Sequence, residues 1–456
     1  MFHKQKTFNL EQETKTIVLT SNTENPLVKK VLEKLSLSTE NFDKEPTTVF
    51  TLGKLAMNKV IFLNEDEVLK GENSLGKMIT LKEDVLVLVD SFKKETIGKV
   101  FELLTTKAIY RFDKFKSKDE EKIGVIHYFT EENHEDAIHE GIVYGEAINH
   151  TKQLVNTPYN YLNAFKLADY AQTLGDLADV DVKVYGKKAC EDFNMGAFLG
   201  VNKGSKDEPQ LIHIRYTGNQ KSKEVTALVG KGVMYDTGGY SLKTPQGMPS
   251  MKCDMAGAAT VLGAIEIIAR LKYPHNVDVV IAATDNRIGD DAIVPDDILT
   301  AANGTTIEII STDAEGRLTL ADALWFAQKE GAQKLIDVAT LTGAVVGALG
   351  AEYTGAFTNH KEFMQELLET ADKTEEKIWQ LPITKGYHDE LKSFSADIKN
   401  SSGNRMAGAS VAAAFLENFV EKDRAWIHLD IAGTSFDSKK GASGTMVKTL
   451  ASLFKS

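Results

Sequence analysis

The segment STDAEGRL, residues 311–318, concentrates charged side chains between an apolar run and a helical pattern. Asp313, Glu315 and Arg317 occupy alternate positions, so an extended chain would direct all three side chains to the same side. Like charges on one face of a buried strand end repel each other strongly. The pattern raises the question of which positive charge compensates the two negative carboxylates.

A second group of charged residues lies in the stretch 228–271. An apolar run leads to Lys231, Asp236 follows in a glycine-bearing loop, Lys243 comes next, and Asp254 precedes a helical pattern. The glycines of this loop permit close backbone approach and dihedral angles that other residues avoid. We expect these side chains to line a loop at the carboxyl end of a strand.

Together the two segments supply four carboxylates, two lysines and one arginine. If the carboxylates converge within about 4 Å, their six mutual repulsions cost roughly 24 kcal/mol at an effective dielectric constant near 20, more than the roughly 5–15 kcal/mol that stabilises a domain. Two divalent ions would supply the compensating charge, and a pair of ions about 3.5 to 4 Å apart is a known hydrolytic device. The alternative is a set of surface groups in which Arg317 pairs with Asp313 or Glu315.

The elements that must position these residues alternate between strands and helices, so we expect an α/β fold. Residues 1–133 predict a smaller amino-terminal α/β domain, and a helical pattern with a following turn, 134–158, connects it to the rest. Residues 159–456 predict a larger catalytic domain, whose near-continuous apolar runs are typical of a mixed, largely parallel sheet flanked by helices. The strands of both domains are predicted at 15–21, 48–52, 59–64, 84–90, 124–129, 180–186, 211–218, 225–232, 278–286, 305–310, 334–343 and 425–434.

Composition excludes several classes of protein. The net charge of -12 argues against nucleic-acid binding, and no stretch is long and apolar enough to span a membrane. The first residues lack the apolar core of a secretory signal, so we expect a cytoplasmic protein. Cys190 and Cys253 lie far apart in the sequence, which predicts reduced thiols. The mixed charge run 116–122 predicts a solvated loop.

The motifs closely resemble those of the M17 leucyl aminopeptidase family, metal-dependent enzymes that remove amino-terminal residues from peptides. The resemblance covers roughly residues 150–440. It rests on VGKGVMYDTGGYSLK, MKCDMAGAA, STDAEGRLTLADAL, ATLTGAVVGALG, ADIKNSSGNRMAGASVAAAFL and WIHLDIAGT, whose order and spacing are specific. Two polar replacements depart from the usual pattern, Thr237 where serine is common and Ser311 where asparagine is common.

The resemblance implies a role for each of the charged motif residues. Asp236 and Glu315 would bridge two divalent ions, and the full set of metal ligands would be Lys231, Asp236, Asp254, Asp313 and Glu315. Lys243 and Arg317 would be the catalytic residues, with Arg317 holding a bicarbonate ion as general base. Substrate would contact Met251, Thr340, Leu341 and Gly343. The family also implies a homohexamer.

These residue types suit amide hydrolysis. Adjacent dications favour a neutral amine on Lys231, whereas Lys243 stays charged and can stabilise an oxyanion. Oxygen-rich ligation favours Mn²⁺, with Zn²⁺ also possible. Met251 predicts a flexible apolar pocket wall compatible with Leu, Met or a Cys-Gly substrate. Two rival hypotheses are a two-metal phosphohydrolase, although such sites usually include histidine, and a catalytically silent binding module.

Overall fold

A computed structural model describes residues 2–38, 46–69, 83–117, 124–404 and 406–455. The chain forms two compact units, Met1–Asn149 and His150–Ser456, and the division falls inside the long helix Glu135–Asn156. In the described part of the chain, no helix is long and apolar enough to cross a membrane. Most of the predicted charged loop 116–122 lies outside the described residues.

The first unit contains a six-stranded sheet among its described residues. All neighbouring strands are parallel except the last pair. In spatial order the strands are Phe2–Lys4, Ile126–Phe129, Val85–Leu88, Thr16–Thr20, Lys59–Leu63 and Thr47–Phe50. Its helices are Pro26–Leu35, Glu65–Leu69 and Lys94–Leu103, the last continued by a π-helical segment, Leu104–Ile109. The prediction missed the exposed edge strand Phe2–Lys4, which has only three residues.

The helix Pro26–Leu35 illustrates how local sequence sets the boundaries of an element. The Asn25 side chain accepts hydrogen bonds from the backbone N–H groups of Leu27 and Val28, and proline occupies the first helical position. Ser36 ends the helix in the left-handed region at φ 57°. The local sequence therefore supplies both ends of this helix.

The second unit contains an eight-stranded sheet that positions the charged motifs. Its four central strands, from Ala425–Asp430 to Asn276–Asn286, are mutually parallel, and antiparallel neighbours flank them on both sides. In spatial order the strands are Ile378–Gln380, Thr354–Thr358, Ala425–Asp430, Lys334–Ala339, Val225–Asp236, Asn276–Asn286, Gln210–Thr217 and Val180–Tyr185. The predicted fold class, a mixed and largely parallel sheet flanked by helices, is confirmed. The strands Thr354–Thr358 and Ile378–Gln380 were missed.

Helices pack against this sheet, and one close contact between a helix and a strand depends on glycine. The helix Ala256–Arg270 is buried almost throughout, because apolar residues surround it on all sides. A Cβ atom on Gly257 would lie 2.0 Å from the carbonyl oxygen of Val338, so only glycine permits this contact between helix and strand. The other helices of the unit are Ala164–Thr173, Lys187–Asp192, Gly196–Asn202, Gly316–Lys329, Gly343–Leu349, Lys361–Thr374, Lys385–Glu390, Gly408–Glu417 and Val447–Ser452.

The strand before STDAEGRL lies outside the main sheet, contrary to the expectation. Thr306–Glu308 belongs to a three-stranded sheet with Ile298–Thr300 and Ile398–Lys399. Ile307 is fully buried while its two neighbours are half-buried, which is the alternation of a strand with one buried face. Elsewhere in the unit, Cys190 and Cys253 are buried free thiols.

Candidate metal centre

Lys231 and Asp236 come from the central strand Val225–Asp236, and both are buried. Five positions separate them, so a regular strand would direct them to opposite faces. The pairing with the neighbouring strand changes register here: Val233 lies opposite Thr284, and the next pair is Asp236 with Asn286. The additional residue turns Asp236 toward the face of Lys231.

The Lys231 side chain joins two further carboxylates. Its Nζ lies 2.7 Å from Asp254 Oδ2 and 3.0 Å from Glu315 Oε1. It also donates a hydrogen bond of 2.9 Å to the carbonyl oxygen of Thr340. The three charged side chains are almost completely shielded from solvent. Four segments distant in sequence therefore meet at one amine.

Lys243 joins the other two carboxylates. Its Nζ lies 2.6 Å from Asp236 Oδ2 and 2.6 Å from Asp313 Oδ1. Asp236 Oδ1 accepts hydrogen bonds from the backbone N–H of Gly238 and from Asn286 Nδ2. Gly238 has φ +83°, and a Cβ atom there would lie 2.7 Å from Asp313 Oδ1. Glycine therefore allows the loop to approach this carboxylate.

The gathered oxygens fit divalent cations. Carboxylate oxygens of Asp236, Asp313 and Glu315 lie within 4.8 Å of one another. Glu315 Oε2 is buried and has no hydrogen-bond partner among the described residues. Since two lysine ammonium groups face four carboxylates, negative charge is left over for a cation. Oxygen donors of this kind suit Mn²⁺ and are compatible with Zn²⁺.

Burial controls the proton affinities in this cluster. It raises the pKa of Asp254, Glu315 and Asp313 above their ordinary values, and the charge of Asp236 adds to the effect. Burial opposes the charged form of Lys231, but the surrounding carboxylates, led by Asp254, prevail and raise its pKa. The carboxylates of this cluster therefore hold protons more tightly than exposed ones and need positive charge nearby to ionise.

Arg317 lies close to this cluster but does not pair with it. Its Nη1 donates a 2.7 Å hydrogen bond to the carbonyl oxygen of Asn400, and its buried Nε has no hydrogen-bond partner in the described part of the chain. Within the described residues it forms no ion pair with Asp313 or Glu315, so the alternative interpretation of this arginine is wrong. Burial lowers its pKa to about 10, with Glu315 and Asp430 opposing, so it remains a cation at neutral pH.

The segment STDAEGRL is not extended, contrary to the expectation. Asp313 lies in a turn, Glu315 has helical dihedral angles of -78° and -36°, and Arg317 is in the first turn of the helix Gly316–Lys329. The turn forms because Ser311 Oγ accepts the backbone N–H of Asp313. Asp313 and Glu315 still converge, whereas Arg317 turns toward Asn400.

The four predicted substrate-contacting residues flank the cluster along the chain. Met251 begins the short 3₁₀ helix Met251–Met255 that carries Asp254. Thr340, Leu341 and Gly343 follow the strand Lys334–Ala339. The Thr340 carbonyl accepts the hydrogen bond from Lys231, and its hydroxyl donates to Asp254 Oδ1 at 2.8 Å. Gly343 is exposed at the start of its helix.

The sequence did not reveal three residues that support the cluster. Asn286 holds Asp236, Asn400 accepts from Arg317, and Asp430 binds the segment after Ala339. Asn286 and Asp430 end two of the four central parallel strands. Their position at the carboxyl end of a strand was the signal that could have identified them.

Comparisons with known proteins agree with this geometry. A model of the cytosol aminopeptidase family, catalytic domain, matches residues 149–451. Among solved structures, a mutant of tomato leucine aminopeptidase matches with a TM-score of 0.85 and 28% sequence identity. That match covers 99% of this chain and 96% of the tomato chain. The family match includes every residue of the cluster from Lys231 to Arg317.

Proposed function

The chain belongs to the cytosol aminopeptidase family, as its motifs predicted, and we propose that two divalent ions in the described cluster activate water for removal of amino-terminal residues from peptides. The chain is a metallo-aminopeptidase. The observation that carries the two-ion proposal is the convergence of Asp236, Asp313 and Glu315, together with the buried oxygen Glu315 Oε2, which has no hydrogen-bond partner among the residues that the structure describes. We propose Asp254 and Lys231 as the remaining ligands, with Asp236 and Glu315 bridging.

Divalent ions in such a site supply a water whose pKa falls from about 15.7 toward about 7. With the ions bound, Lys231 would be a neutral amine ligand, since neighbouring dications disfavour its ammonium form. Lys243 stays charged and directs its Nζ at the oxygen that gains negative charge as the amide carbonyl becomes tetrahedral. Arg317 offers Nε as a free donor to a planar bicarbonate, which acts as general base because the guanidinium itself stays protonated.

The substrate is a peptide with a free terminal amine. Its backbone runs along Thr340, Leu341 and Gly343, and its first side chain lies against Met251. The exposed start of the helix at Gly343 leaves room on that side of the segment. We also propose that the catalytic domain spans 159–456 after the connection 134–158, that the ions are Mn²⁺ or Zn²⁺, and that the protein is a cytoplasmic homohexamer.

The test is an assay of the purified protein after exhaustive chelation and again after addition of Mn²⁺ or Zn²⁺. Three substrates are compared: an aminoacyl amide with a free amine, the same amide acetylated on nitrogen, and a phosphate monoester. We expect hydrolysis of the free-amine amide alone, and only with metal present. Full activity of metal-free protein, equal cleavage of the acetylated amide, or cleavage of the phosphate ester alone would overturn the proposal.

A further inference from the structure

Asp430 is a buried carboxylate that lies outside the proposed ligand set. It ends the strand Ala425–Asp430, pairs in register with Ala339, and is 1% exposed. Its Oδ1 accepts the backbone N–H groups of Leu341 at 3.0 Å and Ala432 at 3.2 Å. Its Oδ2 accepts the hydroxyl of Thr342 at 2.7 Å. Among the described residues, the hydrogen bonds of the Asp430 side chain therefore go to its own turn and to the segment 340–342.

That segment in turn contacts two members of the metal centre. The carbonyl oxygen of Thr340 accepts from Lys231 Nζ at 2.9 Å, and the Thr340 hydroxyl donates to Asp254 Oδ1 at 2.8 Å. Two positions further along, Thr342 Oγ1 accepts the N–H of Val345 and caps the helix Gly343–Leu349. The Thr342 hydroxyl is thus fixed on both sides, by Asp430 and by the helix.

The charge of Asp430 is compensated only in part, because burial of the side chain is the dominant influence on its pKa. Burial raises its pKa, while the neighbouring His428 and the three hydrogen-bond donors act in the opposite direction. His428 lies two residues earlier on the same face of the strand, and its Nδ1 is 2.6 Å from Asp337 Oδ1. Burial of an acidic group this deep in the core costs free energy, even with donors from its own turn and from the segment 340–342, so stabilisation of the fold alone does not explain it.

We propose that Asp430 is a positioning residue for the metal centre. It fixes Leu341 and Thr342 so that the carbonyl of Thr340 orients the Lys231 amine and the Thr340 hydroxyl orients Asp254. Without Asp430 the segment loses its anchor, and both side chains lose the partner that sets their direction. The inference depends on the proposed role of Lys231 and Asp254 as ligands.

The test compares the full-length variants Asp430→Ala and Asp430→Asn with the wild type. The readouts are Mn²⁺ affinity by equilibrium dialysis, kcat and KM on an aminoacyl amide, and the melting temperature of the metal-free protein. In Asp430→Ala we expect Mn²⁺ affinity and kcat to fall by at least about tenfold, because a buried charge-assisted anchor is lost. In Asp430→Asn we expect Mn²⁺ affinity and kcat to stay closer to the wild-type values than in Asp430→Ala, since the carboxamide oxygen can still accept the N–H of Leu341.

Asp322→Asn is the matched control. Asp322 is a fully buried carboxylate that accepts the backbone N–H groups of Phe198 and Ala302, and in the described part of the chain it shares no hydrogen bond with the segment 340–342. Its replacement should lower the melting temperature and leave Mn²⁺ affinity and KM as in the wild type. An equal loss of Mn²⁺ affinity in this control would mean that any damage to the core has the same effect, and the positioning role would be refuted.

A second pair of variants covers the case in which Asp430→Ala does not fold. Thr342→Val replaces the hydroxyl with a methyl group, whereas Thr342→Ser keeps the hydroxyl and loses the methyl group. We expect weaker Mn²⁺ binding in the first and wild-type binding in the second. Wild-type affinity and kcat in either Asp430→Ala or Thr342→Val would overturn the inference. A wild-type protein that binds no Mn²⁺ and cleaves no amide would instead overturn the proposed metal centre.

Discussion

Gly316→Ala tests the metal centre without replacing any proposed ligand. A methyl group at this position would lie 2.4 Å from Lys231 Cε and 2.6 Å from Nζ, whereas ordinary contact begins at 3.4 Å. The Lys231 side chain must therefore retreat by about 1 Å, and it is buried on all sides, so little free space can absorb the movement. Its contacts of 2.7 Å to Asp254 and 3.0 Å to Glu315 cannot both survive.

A Lys231 amine displaced by about 1 Å would no longer reach its place as a ligand. Loss of one interaction with a charged partner costs about 1.5–3 kcal/mol, which corresponds to about 10- to 150-fold in an equilibrium constant. We expect Mn²⁺ affinity, measured by equilibrium dialysis, to fall by that factor, and kcat/KM at subsaturating metal to fall with it. Gly347→Ala is the control. Gly347 also lies in a helix, but a Cβ atom there would meet nothing within 4 Å. Wild-type affinity in Gly316→Ala would refute the role of Lys231 as a positioned ligand.

Three further predictions concern the charged residues of the cluster. Lys243→Ala should lower kcat by about 100- to 1,000-fold, as removal of an oxyanion donor does, while metal content stays near that of the wild type; comparable losses in both would contradict the role. Arg317→Ala should abolish any dependence of kcat on added bicarbonate, and an unchanged bicarbonate response would exclude this arginine as the anion's holder. Finally, burial raises the pKa of Asp313, Asp254 and Glu315, so the folded metal-free protein binds more protons than the unfolded chain. Its stability should therefore fall as the pH rises from the unfolded carboxyl values near about 4, and the gain in melting temperature on adding Mn²⁺ should be larger at about pH 8 than at about pH 5. A gain that does not change with pH would contradict this linkage.

Sequence patterns predicted the long central strands better than the short ones. The runs ending at Asp236, Asn286, Ala339 and Asp430 are apolar on both faces, and that composition is specific for strands covered by helices. The edge strand Ile378–Gln380 has three residues, largely exposed, and its pairing depends on a neighbour that sequence does not identify. The interpretation of 305–310 as part of the main sheet was wrong because a strand of the same composition can join either sheet.

The candidate site, like the fold, was predictable from the sequence only in part. The charged residues that converge could be named from their types and spacing, and their order along the chain matched a family. Their mutual arrangement could not be predicted, because it depends on contacts between segments distant in sequence. Examples are the register shift before Asp236 and the hydrogen bond from the Thr312 hydroxyl to the carbonyl oxygen of Gly238. Supporting residues such as Asn286 and Asp430 carry no motif of their own. Only the folded arrangement shows which oxygens they hold.

The central claim is that the carboxylates and the Lys231 amine gather around two cations. Anomalous diffraction at the manganese edge, from crystals grown with excess Mn²⁺, tests it most directly. We expect two peaks among Asp236, Asp254, Asp313 and Glu315, with the Lys231 amine directed at one of them. If the same carboxylates remain paired only with Lys231 and Lys243, as in the metal-free arrangement, and no peak lies between them, the account is contradicted.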